Sequence, residues 1–193
     1  MGSNNIDLFF KEPSEPPQIP GENGILYLLR RDILTCLGKN PNEPHKSICY
    51  QALFPAGMAL LAGIDLLGKF AAGSDGIGKA GCRFKEFLKT YGGLSEPGKD
   101  NEILWQLRNA LLHSFGLYSE KKKFCLTMTE NDSNLIIENN GYCSVNLWAL
   151  HQMLEKAIEN YRCALNASCN QGKQLLNNFD AVFEKYGCIE IGK

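Results

Sequence analysis

The longest apolar run in this chain, Ala52 to Ala72, constrains its fold more than any other segment. It is long enough to cross a bilayer, yet Asp65 and Lys69 stand inside it, together with several glycines. Charge inside hydrocarbon is costly, so the run is expected to be a buried core helix and not a membrane span. Pro55 lies within it and predicts a kink or break there, in a helix starting near Ser47.

Other helices flank this one. Ile25 to about Leu37 has helical spacing, with Gly38 as a stop, and Pro41 and Pro44 mark a loop after it. Lys79 to Tyr91 places Phe84, Phe87 and Leu88 on one face, and Gly92-Gly93 ends it. Asp100 is placed to cap a helix that runs to about Ser114, with Gly116 as terminator. Ser144 to about Ala167 and Gln171 to Tyr186 complete the set. Between them the period changes. Phe124, Leu126 and Met128 alternate with Cys125, Thr127 and Thr129, and Leu135 to Ile137 is a second short apolar run, so a hairpin over about 123–138 is expected. Residues 1–24 hold Pro13, Pro16, Pro17 and Pro20 and read as an extended or flexible arm. The expectation is a mainly α, single-domain bundle of five or six helices over 25–193, with one inserted β-hairpin.

Composition narrows the function. The 193 residues carry 20 Lys+Arg against 21 Asp+Glu, a formal charge of −1. A protein that coats nucleic acid shows a basic excess, so any nucleic-acid contact here has to be local. None of the eight cysteines forms a C-x-x-C pair and the three histidines are scattered, so no metal and no cofactor is expected. Most cysteines fall inside apolar patterns, where a free thiol is a small hydrophobe; a reducing, cytoplasmic setting is expected. Met1 to Ile6 is polar and unlike a secretory signal. Neither G-x-G-x-x-G after a strand nor a P-loop is present, and a parallel sheet is not expected.

The chemistry concentrates in Ile103 to Tyr118, ILWQLRNALLHSFGLY. At about 100° per residue, Ile103, Leu104, Leu107, Leu111 and Phe115 share the sector that should face the core. Gln106, Asn109 and His113 share another, and Asn109 and His113 are neighbours four apart. Arg108 stands at the border. Trp105 and Leu112 fall outside the buried sector, and a second copy of this helix across a two-fold axis is expected to cover them.

Arg108, Asn109, Ala110, Leu111, Leu112, His113 resembles the motif of the HEPN superfamily: Arg, four to six residues, then His, often with Asn, Asp or His directly after the Arg. The preceding core helix around Asp65 suits such a bundle, and the resemblance covers about 48–165. It implies a metal-independent endoribonuclease, usually a homodimer whose two motifs meet in one cleft. It also implies toxin or defence roles, with an antitoxin partner in some members. The chemistry is coherent by itself. Imidazole changes charge near neutral pH and suits a general acid or base, His113 here. Guanidinium holds phosphate oxygens through paired donors, as Arg108 would. Asn109 can fix the imidazole tautomer or donate to phosphate. Ser114, Tyr118 and Lys121 are candidate binding residues beside them. Some family toxins carry a Tyr two residues after the His, which an antitoxin modifies with AMP. Phe115 occupies that position here, which counts against that control.

Plainer readings stand beside each assignment. His113 can be a helix-terminal residue that complements the dipole. Arg108 can pair with Glu102 or Asp65, and Asp65 either pairs with Lys69, four residues on, or reaches across to orient Arg108. Lys121, Lys122 and Lys123 suit either an RNA backbone or a solvated strand edge. The alternative function is a non-catalytic, dimeric module that binds a nucleotide or a protein.

Overall fold

The chain opens as a helix, α1 (Gly2–Phe9), followed by a short strand, β1 (Gly21–Gly24). Next come α2 (Ile25–Cys36), β2 (Lys39–Asn40), β3 (Glu43–Ser47), α3 (Leu53–Ala72), α4 (Ala80–Thr90) and α5 (Lys99–Ser114). Four strands follow, β4 (Tyr118–Ser119), β5 (Lys122–Thr127), β6 (Ile136–Asn139) and β7 (Tyr142–Asn146), then α6 (Leu147–Leu165), α7 (Asn170–Tyr186) and β8 (Cys188–Ile191). The computed structural model describes residues 2–47, 50–76, 78–94, 99–119, 122–167 and 169–192. The protein is mainly α, with seven helices among the described residues where five or six were expected, because α1 forms inside the expected arm, and with three small sheets.

α3 is the hub, packed by α2, α4, α5, α6 and α7. Among the described residues it alone is long and apolar enough to cross a membrane by length and composition. Here Leu60, Leu61, Ile64, Leu67 and Phe70 are instead covered by protein. The helix starts at Leu53, not near Ser47, which belongs to β3. Pro55 falls in its first turn, where a missing N–H costs nothing, and the helix runs unbroken from there to Ala72. Gly73 ends it in the left-handed region (φ 70°), its N–H turned back to Lys69 O and Phe70 O. Close crossing with α4 depends on Gly68, where a Cβ would stand 2.9 Å from Arg83 O.

Three expectations need correction. The first is the arm over 1–24. Ile6, Phe9 and Phe10 recur at helical spacing and are buried. Phe9 packs on Phe70 (ring centroids 4.4 Å) and Phe179 (5.3 Å). The Pro-rich stretch is tied down from α2, where Tyr27 Oη donates to Glu15 O (2.6 Å) and Arg31 Nη1 to the same oxygen (2.8 Å). β1 then pairs antiparallel with β8, Gly21 opposite Ile191. The second is the loop around Pro41 and Pro44, which is the β2–β3 pair. The third is the hairpin over 123–138. β5 and β6 do not pair; β7 lies between them, and the order is β4-β5-β7-β6. β5 and β7 run parallel, so the sheet is mixed. The true hairpin is β6–β7, closed by Asn140 (φ 44°) and Gly141 (φ 86°), both left-handed as a two-residue type I′ turn requires.

Two outcomes follow. Phe9→Ala should cost about 3–5 kcal/mol, as for other buried Phe truncations; a loss below about 1 kcal/mol in urea unfolding would mean that α1 is not docked. His151, buried on α6 beside Trp148 (5.3 Å), has its pKa lowered from 6.5, first by burial. The unfolded chain then binds more protons below about pH 6.5, so stability falls as pH drops from there toward the lowered folded value. His151→Gln should flatten that fall, and an unchanged slope of urea midpoints from about pH 7 to about pH 5 contradicts it.

Candidate functional site

α5 is set by its ends and its stripe. Asp100 and Glu102 lie in the first turn and His113 in the last, each complementing the helix dipole. Ile103, Leu104, Leu107 and Leu111 are buried as expected. Phe115 is not: the helix ends at Ser114, Phe115 takes a left-handed backbone (φ 47°), and its ring is 72% exposed. Gly116 closes the turn by donating its N–H to Ala110 O (3.0 Å).

Asp65 of α3 reaches Arg108 of α5. Its Oδ2 accepts from Arg108 Nε (3.1 Å) and from Nη2. Lys69, the other partner expected for Asp65, pairs instead with Asp75 (3.0 Å), and Glu102 pairs with Lys85 (2.5 Å). The Asp65 and Arg108 side chains are only 21% and 12% exposed, so solvent screens this pair little. Below the guanidinium lies Trp105, 5.2 Å from its centroid. Trp105 was expected to need a second chain for cover, but α4 covers it. Phe84 packs on the indole (5.5 Å), and a Cβ at Gly81 would stand 3.0 Å from its ring.

With Nε and Nη2 held by Asp65, Nη1 is the edge left over. It donates to Asn109 Oδ1 (3.3 Å) and meets His113 Nε2 at 2.6 Å. Guanidinium has no acceptor, so Nε2 must accept. A hydrogen bond at this contact thus requires the tautomer with its proton on Nδ1. His113 is exposed, and it borders an open cleft of about 600 Å³ with Gln106, Asn109, Ser114, Tyr118 and Ser119. That size suits a small ligand or part of a larger one. Arg108 stands behind this wall and reaches it through Nη1.

Of the candidate residues, Asp65, Arg108, Asn109 and His113 form one connected group, and Ser114 and Tyr118 line the same cleft. Lys121 lies outside the described residues. Lys122 is committed to Glu138 (2.6 Å), whose carboxyl is held down to about 2 by Lys122 and Lys99. Lys123 stays exposed, over the Tyr142 ring (5.5 Å). Among the described residues no three His, Cys, Asp or Glu side chains cluster as metal ligands would, and the described cysteines are free.

Sequence reasoning gave no role to two lining residues. Ser119 sits on a two-residue strand too short to leave a pattern. Gln106 donates to Glu102 Oε1 (3.2 Å), while its own buried Oε1 has no partner. Its place beside Asn109 and His113 on the helical wheel was the available signal. Asp65→Asn keeps the shape but removes the charge beneath Arg108. It should lower stability by about 1–3 kcal/mol, as for hydrogen bonds to charged groups. A change below about 0.5 kcal/mol in chemical denaturation would show that the pair holds nothing in place.

No known protein family, curated protein or solved structure matches this chain, so the chemistry of the cleft rests on its own geometry.

Proposed function

We propose that this chain is an HEPN-like, metal-independent endoribonuclease. The observation that carries the reading is the 2.6 Å contact between Arg108 Nη1 and His113 Nε2 at the wall of an open cleft. Cleavage of RNA without a metal needs a base for the ribose 2′-OH and a cation for the charge that grows on phosphate. His113 Nε2 carries the lone pair that a base requires, here engaged by Arg108 Nη1, and Arg108 brings a charge that never titrates. In the reaction the imidazole takes the 2′ proton and the 2′-oxygen bonds to phosphorus. The bond from phosphorus to the 5′-oxygen then breaks, and that oxygen takes a proton. The products are a 2′,3′-cyclic phosphate and a 5′-hydroxyl.

Arg108 Nη1 and its phosphate partner set the order of events. An incoming phosphate is a stronger partner for a guanidinium than a neutral ring nitrogen is. Nη1 turns to the phosphate, and Nε2 is released to the 2′-OH. Asp65 holds the other edge of the guanidinium, so the cation turns without leaving. A homodimer that joins two such motifs and a toxin or defence role with an antitoxin partner are what the family resemblance adds, and a reducing, cytoplasmic setting is what the free cysteines suggest. The reading of a non-catalytic nucleotide- or protein-binding module draws on a different fact: every edge of Arg108 is engaged, by Asp65, Asn109 and His113.

The test is cleavage of mixed RNA in EDTA by the wild-type chain, His113→Ala and Arg108→Ala. Cyclic-phosphate ends from the wild type alone, with a loss of about 100-fold or more in each variant, support the enzyme. No cleavage by any of the three, with folding unchanged, favours the module.

A further inference from the structure

The outward face of the four-stranded sheet carries a row of side chains that runs away from the cleft. Tyr118 of β4 stands opposite Lys123 of β5, Lys123 opposite Tyr142 of β7, and Tyr142 opposite Asn139 of β6. Residues directly opposite across a ladder share a face of the sheet. The neighbours one residue along, Phe124 and Cys143, point inward and are buried, which fixes the row as the outer one. Tyr118 is 61% exposed and Tyr142 52%. Lys123 lies between them and 5.5 Å from the Tyr142 ring. The next outward row, Cys125, Ser144 and Ile137, is uncharged. Glu138 is on the opposite face, neutralised by Lys122 and Lys99. Tyr118 also lines the cleft of His113, so row and cleft are continuous.

We propose that this face is a track for single-stranded RNA, with bases stacked on Tyr118 and Tyr142 and the phosphate between them on Lys123, leading the strand into the His113 cleft. The proposal rests on the ribonuclease reading above and names where the substrate lies beyond the reacting bond. Ring, cation and ring in sequence match the alternation of base, phosphate and base. Stacking on aromatics beside a cation is how proteins hold unpaired strands without reading sequence. A protein-docking face has a different build, because charge is depleted at the core of such interfaces, and here the charge is central. The track is small, which agrees with a chain whose overall charge is −1.

The test uses the full chain carrying His113→Ala, so that bound RNA stays intact, and a fluorescein-labelled oligouridylate of about 12 nucleotides. Adding Tyr142→Ala should weaken binding by about tenfold, and Tyr142→Phe should leave it unchanged. Lys123→Gln should lower the slope of log affinity against log salt by about 0.7. Failure of the parent to bind, equal binding by Tyr142→Ala, or equal binding of a duplex of the same length would overturn the track. So would a dimer in solution that Tyr142→Ala dissociates while RNA binding persists. In the chain with His113 intact, Tyr142→Ala should raise KM for the oligomer. Binding that follows the expected order without any cleavage keeps the track and ends the ribonuclease reading; cleavage indifferent to Tyr142 does the reverse.

Discussion

A carboxylate in the middle of the most apolar helix of a chain has to find a cation, and Asp65 finds Arg108. Removing either partner would leave a poorly solvated charge, which costs more than the pair itself is worth. The pair therefore constrains geometry more than it adds stability. It fixes the rotation of α5 against α3, because the guanidinium is held through two of its nitrogens and backed by Trp105. With that rotation set, Leu107 and Leu111 enter the core while Asn109 and His113 face the cleft. The salt bridge and the apolar stripe impose the same orientation.

The cleft owes its shape to the way α5 stops. A bulky residue at positive φ is uncommon, and Phe115 adopts it because the chain has to leave the helix and enter β4 within a few residues. The turn exposes the Phe115 ring and swings Tyr118 and Ser119 round to form the second wall. β4 is held by β5, and Phe124 N–H donates to Leu117 O (2.8 Å), so this wall is anchored in the sheet. Phe124 and Val145 bury the inner face of that sheet, and Leu126 reaches α3 at Gly57. A site on a helix end backed by a sheet is better positioned than one on loops alone.

The helices were legible in the sequence because their stripes are long and their stops local. α2, α4, α6 and α7 fall within a few residues of the ranges expected from apolar spacing and terminal glycines. What failed was non-local or masked by prolines. α1 has only eight residues, its apolar positions are few, and the prolines that follow it suggested an arm. Pro55 suggested a kink because its place in the first turn depends on where α3 begins. The strand pairing failed for another reason: Asn140-Gly141 is a strong hairpin signal, but the helix expected from Ser144 overlaps the strand Tyr142–Asn146. The parallel pairing of β5 and β7 has no local signature at all. In the site, spacing alone brought Asn109 and His113 together, and Asp65 was left with two partners because neither Lys69 nor Arg108 is decided by its own helix. Only the crossing of α3 and α5 selects Arg108.

That crossing also sets what Arg108 and His113 would do in the proposed reaction. On the proposed reading, the donor that would hold a phosphate is hydrogen-bonded to the nitrogen that would act as base. Each group masks the other. A neutral ligand without an anionic oxygen gives Nη1 no better partner than it already has, and the lone pair of Nε2 stays covered. On the proposed ribonuclease reading, a phosphodiester would supply that partner and uncover the base in the same motion. The mask also requires a neutral ring, because an imidazolium has no lone pair to accept with and would face a second cation at 2.6 Å.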